Sequence, residues 1–184
     1  MNMQPILPGL LMWCAVLPSL AMAQPRNEPE DGADLKPFAE LEVKLPAFPK
    51  PENLLKFEPS AASNNRFYVD AASIFVGDDG TVRYTLVIES ASGAQNISYE
   101  GVRCETFEQK IYAYGGRDGV WRPTRAPQWR SVNYQDSYRQ RRILADDYFC
   151  RDNRRVKSRE AAIQLFKYPQ PPTGGTTVRW RDAF

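Results

Sequence analysis

Apolar and polar positions alternate most regularly in "ASIFVGDDGTVRYTLVIES", residues 72–90. Val82, Tyr84, Leu86 and Ile88 fall on one face and Arg83, Thr85, Val87 and Glu89 on the other, the two-residue period of a β-strand. Asp78-Asp79-Gly80 just ahead supplies turn chemistry, so residues 73–77 and 81–89 are predicted to pair as a hairpin. "SASGAQ" then turns the chain into a strand over 96–104. Ile97 and Tyr99 share a face there, and the pattern shifts past Gly101 to Val102 and Cys104, which suggests a β-bulge. A further strand is expected over 108–114, ended by "GGRDG".

Downstream the period lengthens. "NYQDSYRQRRILADDYFCRD" carries Tyr138, Arg141, Leu144 (or Ala145) and Tyr148 at helical spacing, with Asp136 as a cap and Cys150 near the end. "SREAAIQLFKYP" predicts a short helix capped by Ser158, with Glu160 in its first turn and Pro169 beyond its stop. Val178 and Trp180 alternate with Arg179 and Arg181, suggesting a last edge strand. The pattern amounts to an α+β fold: an antiparallel sheet of about four to five strands with two C-terminal helices packed on one face.

Composition divides the chain before these elements begin. The first 23 residues contain no Asp, Glu, Lys or Arg and are almost wholly apolar from Ile6 to Ala23. Ala21 and Ala23, followed by an abrupt polar switch, form the small-residue cleavage signature of a secretory signal peptide. The n-region has no Lys or Arg, which leaves an uncleaved anchor as the alternative. Pro8, Gly9 and Pro18 interrupt the run and disfavour a permanent span. Trp13 ahead of Cys14 is too large for lipoprotein processing. The expected mature chain starts at Gln24 and is periplasmic, without a stable transmembrane span. Residues 24–60 read as a proline-rich acidic arm: the zone 24–65 holds five basic and eight acidic residues, a balance of −3. Its prolines favour extended, polyproline-type segments. Leu45, Phe48, Leu54, Leu55 and Phe57 are spots by which the arm could lie against the domain, assigned to 61–184.

Removing the leader leaves Cys104 and Cys150, and two cysteines in an oxidising compartment read as one disulfide. No C-x-x-C and no neighbouring base activates either sulfur. Histidine is absent altogether. That excludes Ser–His and Cys–His nucleophiles, histidine acid–base work and histidine-containing metal sites. No cofactor, metal or catalytic residue is expected.

"SIFVGDDGTVRYTLVIESASGAQNISYEGVRC", with "YAYG", a Trp and "DDYFC" downstream, resembles the CNP-one-like family of exported proteobacterial proteins. The likeness spans roughly residues 38–168 and is densest at Val82 to Leu86, Ser98 to Gly101, Cys104 and Cys150. It implies a signal-bearing envelope protein built on one domain, with no catalytic residues to carry over. The two family-like cysteines agree with the bridge reached from their number.

Twelve basic residues fall between Arg117 and Arg159. The richest constellation interleaves Trp121 and Trp129 with Arg117, Arg122, Arg125 and Arg130. Rings stack on sugars or bases, and guanidinium forks grip carboxylates and phosphates. Export makes nucleic acid a scarce partner, so the expected partner is an acidic protein or an anionic or glycan envelope polymer. The competing reading places the rings in the core and pairs the arginines with nearby acids. Asp78-Asp79-Gly80 lacks the ligand spacing of a calcium loop, and adjacent Asp146 and Asp147 point apart on a helix and pair with Arg142 or Arg151. The leading expectation is therefore a non-enzymatic binding domain. The alternatives are an envelope assembly factor acting through the arm and a carboxylate hydrolase using Glu100 with Glu105 or Glu108.

Overall fold

In a computed structural model of the chain, which describes residues 38–59, 63–132 and 139–168, the alternation over 81–89 becomes the middle of a sheet. Strands β1 (Leu54–Phe57), β2 (Arg66–Val76), β3 (Thr81–Glu89), β4 (Gln95–Arg103) and β5 (Glu108–Gly115) pair antiparallel in sequence order. Two short strands, β6 (Trp121–Pro123) and β7 (Arg130–Ser131), both pair with β5 and complete a seven-stranded sheet. The expected count of four to five strands was too low. The extra strands run two to four residues, too short for a two-residue period to declare itself.

Helix α1 (Arg139–Ile143) runs straight into a π-helical turn over Leu144–Phe149, and a small hairpin, β8 (Cys150–Arg151) with β9 (Arg154–Arg155), leads to α2 (Arg159–Lys167). The Ser158 side chain accepts from the Ala161 amide at 3.2 Å, the cap that the sequence announces. The leader, Asp136 and the strand expected at Val178–Arg181 lie outside the described residues.

The helices cover one face of the sheet, and the main core lies between. Val69, Val82, Tyr84, Leu86 and Val102 meet Leu144, Phe149, Val156, Leu165 and Phe166. Tyr84 stacks on Phe149 with ring centroids 4.7 Å apart, and Tyr148 on Phe166 at 4.2 Å. Cys104, at the end of β4, is bonded to Cys150, where the π turn gives way to β8. The expected staple thus ties the sheet to its helical layer, with both cysteines buried.

The shift near Gly101 is also present, but β5 carries it. Tyr99 pairs with Ala113 and Glu100 with Ile111, so Tyr112 is the extra residue, while β3 and β4 stay in unbroken register. Gly101 makes room for that residue: a Cβ there would lie 2.7 Å from the Tyr112 hydroxyl.

Arg83, Thr85 and Val87 face away from the helices, yet they are buried. Residues 38–50, which form no helix or strand, are packed on that side of the sheet and build a second, smaller core with Tyr99, Tyr112 and Ala113. The first turn after them, a short 3-10 helix at Pro51–Asn53, delivers the chain to β1. The stretch read as an arm therefore supplies both an edge strand and part of a face.

Candidate functional site

β6 and β7 bond to β5 on the side away from β4, so the residues singled out between 117 and 130 collect along one sheet edge. Arg122 stands opposite Tyr114 and Arg130 opposite Gln109. Five residues of strand separate those positions, about 16 Å at the usual rise. Arg117 occupies the turn between β5 and β6, and Arg125 the loop between β6 and β7. All four arginines are exposed. Arg122 donates two bonds to Asp118, at 3.1 and 2.9 Å, in full solvent, where such a pair adds little. Arg117, Arg125 and Arg130 have no acidic partner among the described residues.

The two tryptophans do not share that surface. Trp121 turns toward the arm: its indole N–H donates to the Pro46 carbonyl at 2.9 Å, and its ring packs on Phe48 at 5.3 Å. Trp129 meets Phe38 edge-on at 6.0 Å and Tyr112 at 6.4 Å. The constellation therefore splits. Its rings are engaged by the chain's own residues, as the competing reading held, while its guanidinium groups point outward.

A polar cluster that the residue pattern did not announce lies under the arm. Glu40 accepts from Lys110 and from the Tyr112 hydroxyl, each at 2.7 Å, with Arg83 4.0 Å away. Asp79, expected only to shape the hairpin turn, also accepts from the Leu41 amide at 2.9 Å and from Arg83 at 2.5 Å. Arg83 in turn donates to the Leu41 carbonyl at 3.3 Å. The available signal was Arg83 itself, a charge at the centre of a strand whose neighbours are otherwise aliphatic or hydroxylic.

Burial raises the Glu40 carboxyl, but the bonds from Lys110 and Tyr112 outweigh it and hold the group below its usual 4.5. Asp79 is likewise held below 3.8: burial opposes, and Thr81, the Leu41 amide and Arg83 prevail. Burial and the bond to Glu40 push the Tyr112 phenol up. A carboxylate whose folded value is depressed stabilises the fold above its ordinary value and loses that contribution as pH falls through the folded one. Arm docking is therefore expected to hold above pH 4.5 and to weaken as the medium is acidified below it, first through Glu40. Tryptophan emission should shift to the red over that range while the far-UV strand signal persists, and Glu40→Gln should remove most of the transition. An emission profile identical in the variant would refute the assignment.

Glu100, Glu105 and Glu108 do not converge. Glu100 is fully buried on the helical side, gripped by Arg141 through Nε at 2.7 Å and a terminal nitrogen at 2.6 Å, with Ser98 and Tyr84 hydroxyls beside it. Glu108 accepts from Arg103 at 3.1 Å and Thr106 at 2.6 Å. Glu105 lines a depression of about 600 Å³ near the disulfide, with Asp146 and Asp147. Asp146 pairs there with Arg142 at 2.5 Å, as expected. Among the described residues no cluster of His, Cys, Asp or Glu could hold a metal ion, and no helix is long and apolar enough to cross a membrane.

A sheet with helices stapled across one face and residues of its own proline-rich arm across the other makes the described residues an α+β fold whose exposed feature is an arginine edge. The CNP1-like family model matches residues 33–167, from within the proline-rich stretch to the end of α2, and the chain belongs to that family. No curated protein and no solved structure matches the chain.

Proposed function

We propose that the protein is a non-enzymatic, exported domain that holds an anionic envelope partner along its β5 edge through Arg117, Arg122, Arg125 and Arg130. The observation that carries this reading is the segregation of the cluster: four exposed guanidinium groups on one edge, both indoles turned inward. With the rings engaged, the outward chemistry is fork-shaped and cationic. It suits phosphate or carboxylate groups better than the face of a neutral sugar. The leader composition and the buried disulfide support an oxidising, periplasmic location.

The hydrolase reading finds less support, because Glu100 is locked to Arg141 and Glu108 to Arg103. An assembly factor acting through the arm would have to give up the contacts that residues 38–48 make with the sheet.

Arg117→Ser/Arg125→Ser/Arg130→Ser is expected to weaken retention on immobilised polyphosphate by about tenfold at low salt, from three exposed contacts of roughly 0.5 kcal/mol each. The difference should shrink as salt is raised. Elution of wild type and variant at the same salt concentration would remove the binding clause.

A further inference from the structure

The arm is seated in the manner of a bound peptide. Residues 38–50 form no helix or strand, and their anchors recur along an extended chain: Phe38, Glu40, Val43, Pro46 and Phe48. Each anchor meets a feature shaped to receive it. The Phe38 ring lies under the Arg103 guanidinium at 3.7 Å. The Glu40 carboxylate enters a pocket of Lys110, Tyr112 and Arg83. The Pro46 carbonyl takes the indole N–H of Trp121. Phe48 sits over Gly115, where a Cβ would come within 2.9 Å of its ring. An aromatic-walled surface with an indole donor aimed at a backbone carbonyl is how proline-containing extended segments are generally recognised, since their backbone is already ordered. Arg83 and Arg103 are paired with Asp79 and Glu108, and Glu42 is balanced by Lys44, so the charge complementarity is local: it is the Glu40 carboxylate set against Lys110 and Arg83.

We propose that this face of the sheet is a binding groove for an extended, proline-containing segment of a partner protein with a carboxylate at the Glu40 position, and that residues 38–48 are its resident stand-in. The partner segment carries an aromatic residue, an acid two positions on, and a proline and second aromatic six to eight positions beyond that acid. Without a backbone ladder to the sheet, the arm opens more readily than the strands beneath it. Its tether gives it an effective concentration in the millimolar range, so it competes with the partner and sets the affinity the partner must exceed. This groove lies on a different surface from the arginine edge, and either can fail without the other.

The test uses a synthetic peptide, FAELEVKLPAFPK, with the sequence of residues 38–50, titrated calorimetrically into the full chain and into the full-chain variant Phe38→Ala/Glu40→Ala/Phe48→Ala. The variant should bind one peptide at least tenfold more tightly than wild type, because its own arm no longer competes. A peptide with Gln in place of the acid should bind about tenfold more weakly, the scale of one charge-assisted contact. A folded, disulfide-bonded variant that binds the peptide no better than a scrambled one overturns the proposal. If the variant does not fold, a protease site replacing residues 49–51 allows the arm to be cut after folding. Release of the arm on dilution and its return on re-addition support the groove; unfolding on release, or an arm that never leaves, overturns it. A wild-type dimer that exchanges arms, without peptide binding, assigns the groove to a second copy and also overturns it.

Discussion

Glu100→Ala is expected to destabilise the protein by about 3–5 kcal/mol, the usual consequence of leaving a buried charge without its partner. Arg141 reaches Glu100 from α1 with two nitrogens, and both side chains are shielded, at 7% and 0% exposure. The guanidinium left behind cannot discharge itself, since arginine stays protonated at any ordinary pH. In the intact pair burial opposes that charge and the Glu100 carboxylate more than restores it. The Tyr84 and Ser98 hydroxyls would lose an acceptor at the same time. Arg141→Met should cost a comparable amount for the reciprocal reason. Glu100→Leu/Arg141→Met should recover most of the loss, because apolar replacement of both members removes the charge along with its counter-charge. Urea unfolding of the four proteins closes this cycle. Single variants within about 1 kcal/mol of wild type, well under the range for a broken buried pair, would show that α1 is not held by this contact.

The second large effect is the disulfide. Cys104 and Cys150 are 46 residues apart, and closing a loop of that length restricts the unfolded chain by about 4 kcal/mol in the entropy model. Against a typical margin of about 5–15 kcal/mol, Cys104→Ala/Cys150→Ala should leave a protein that folds marginally or not at all at 37 °C. Its urea midpoint should match that of the reduced wild type. A midpoint unchanged by full reduction would mean that the helical layer is anchored by packing and the Glu100–Arg141 pair alone.

Much of the architecture could be read from local pattern because local pattern caused it. The run from Val82 to Ile88 needed only its own alternation to become β3, and Ser158 with Glu160 marked the start of α2. The stripe of Leu144, Ala145 and Tyr148 was legible as helical, although nothing in those residues announced the wider π winding. What escaped was whatever depended on distant partners. Arg83 could be placed only on the second face of β3, because alternation reveals a face but not what lies across it, and cover there comes from Leu41. Trp121 and Trp129 were grouped with their arginine neighbours because they are adjacent in sequence. Pro46, Phe48 and Phe38, which decide the direction of those rings, belong to a segment of quite different composition. The same separation hid the second task of Asp79, whose turn chemistry was sufficient to explain its presence.

The long span between the arm and its seats also dictates an order of events. Leu41 meets Asp79 and Arg83, 38 and 42 positions later, but Glu40 waits for residues 70 and 72 positions later and Pro46 for one 75 positions later. A chain made from its N-terminus must therefore emerge through Trp121 before the arm's seats are complete. Docking is thus a late step of folding, imposed by contact order. The mixture of prolines and charges around Val43 and Phe48 suits a segment that must stay solvated and unaggregated during the delay.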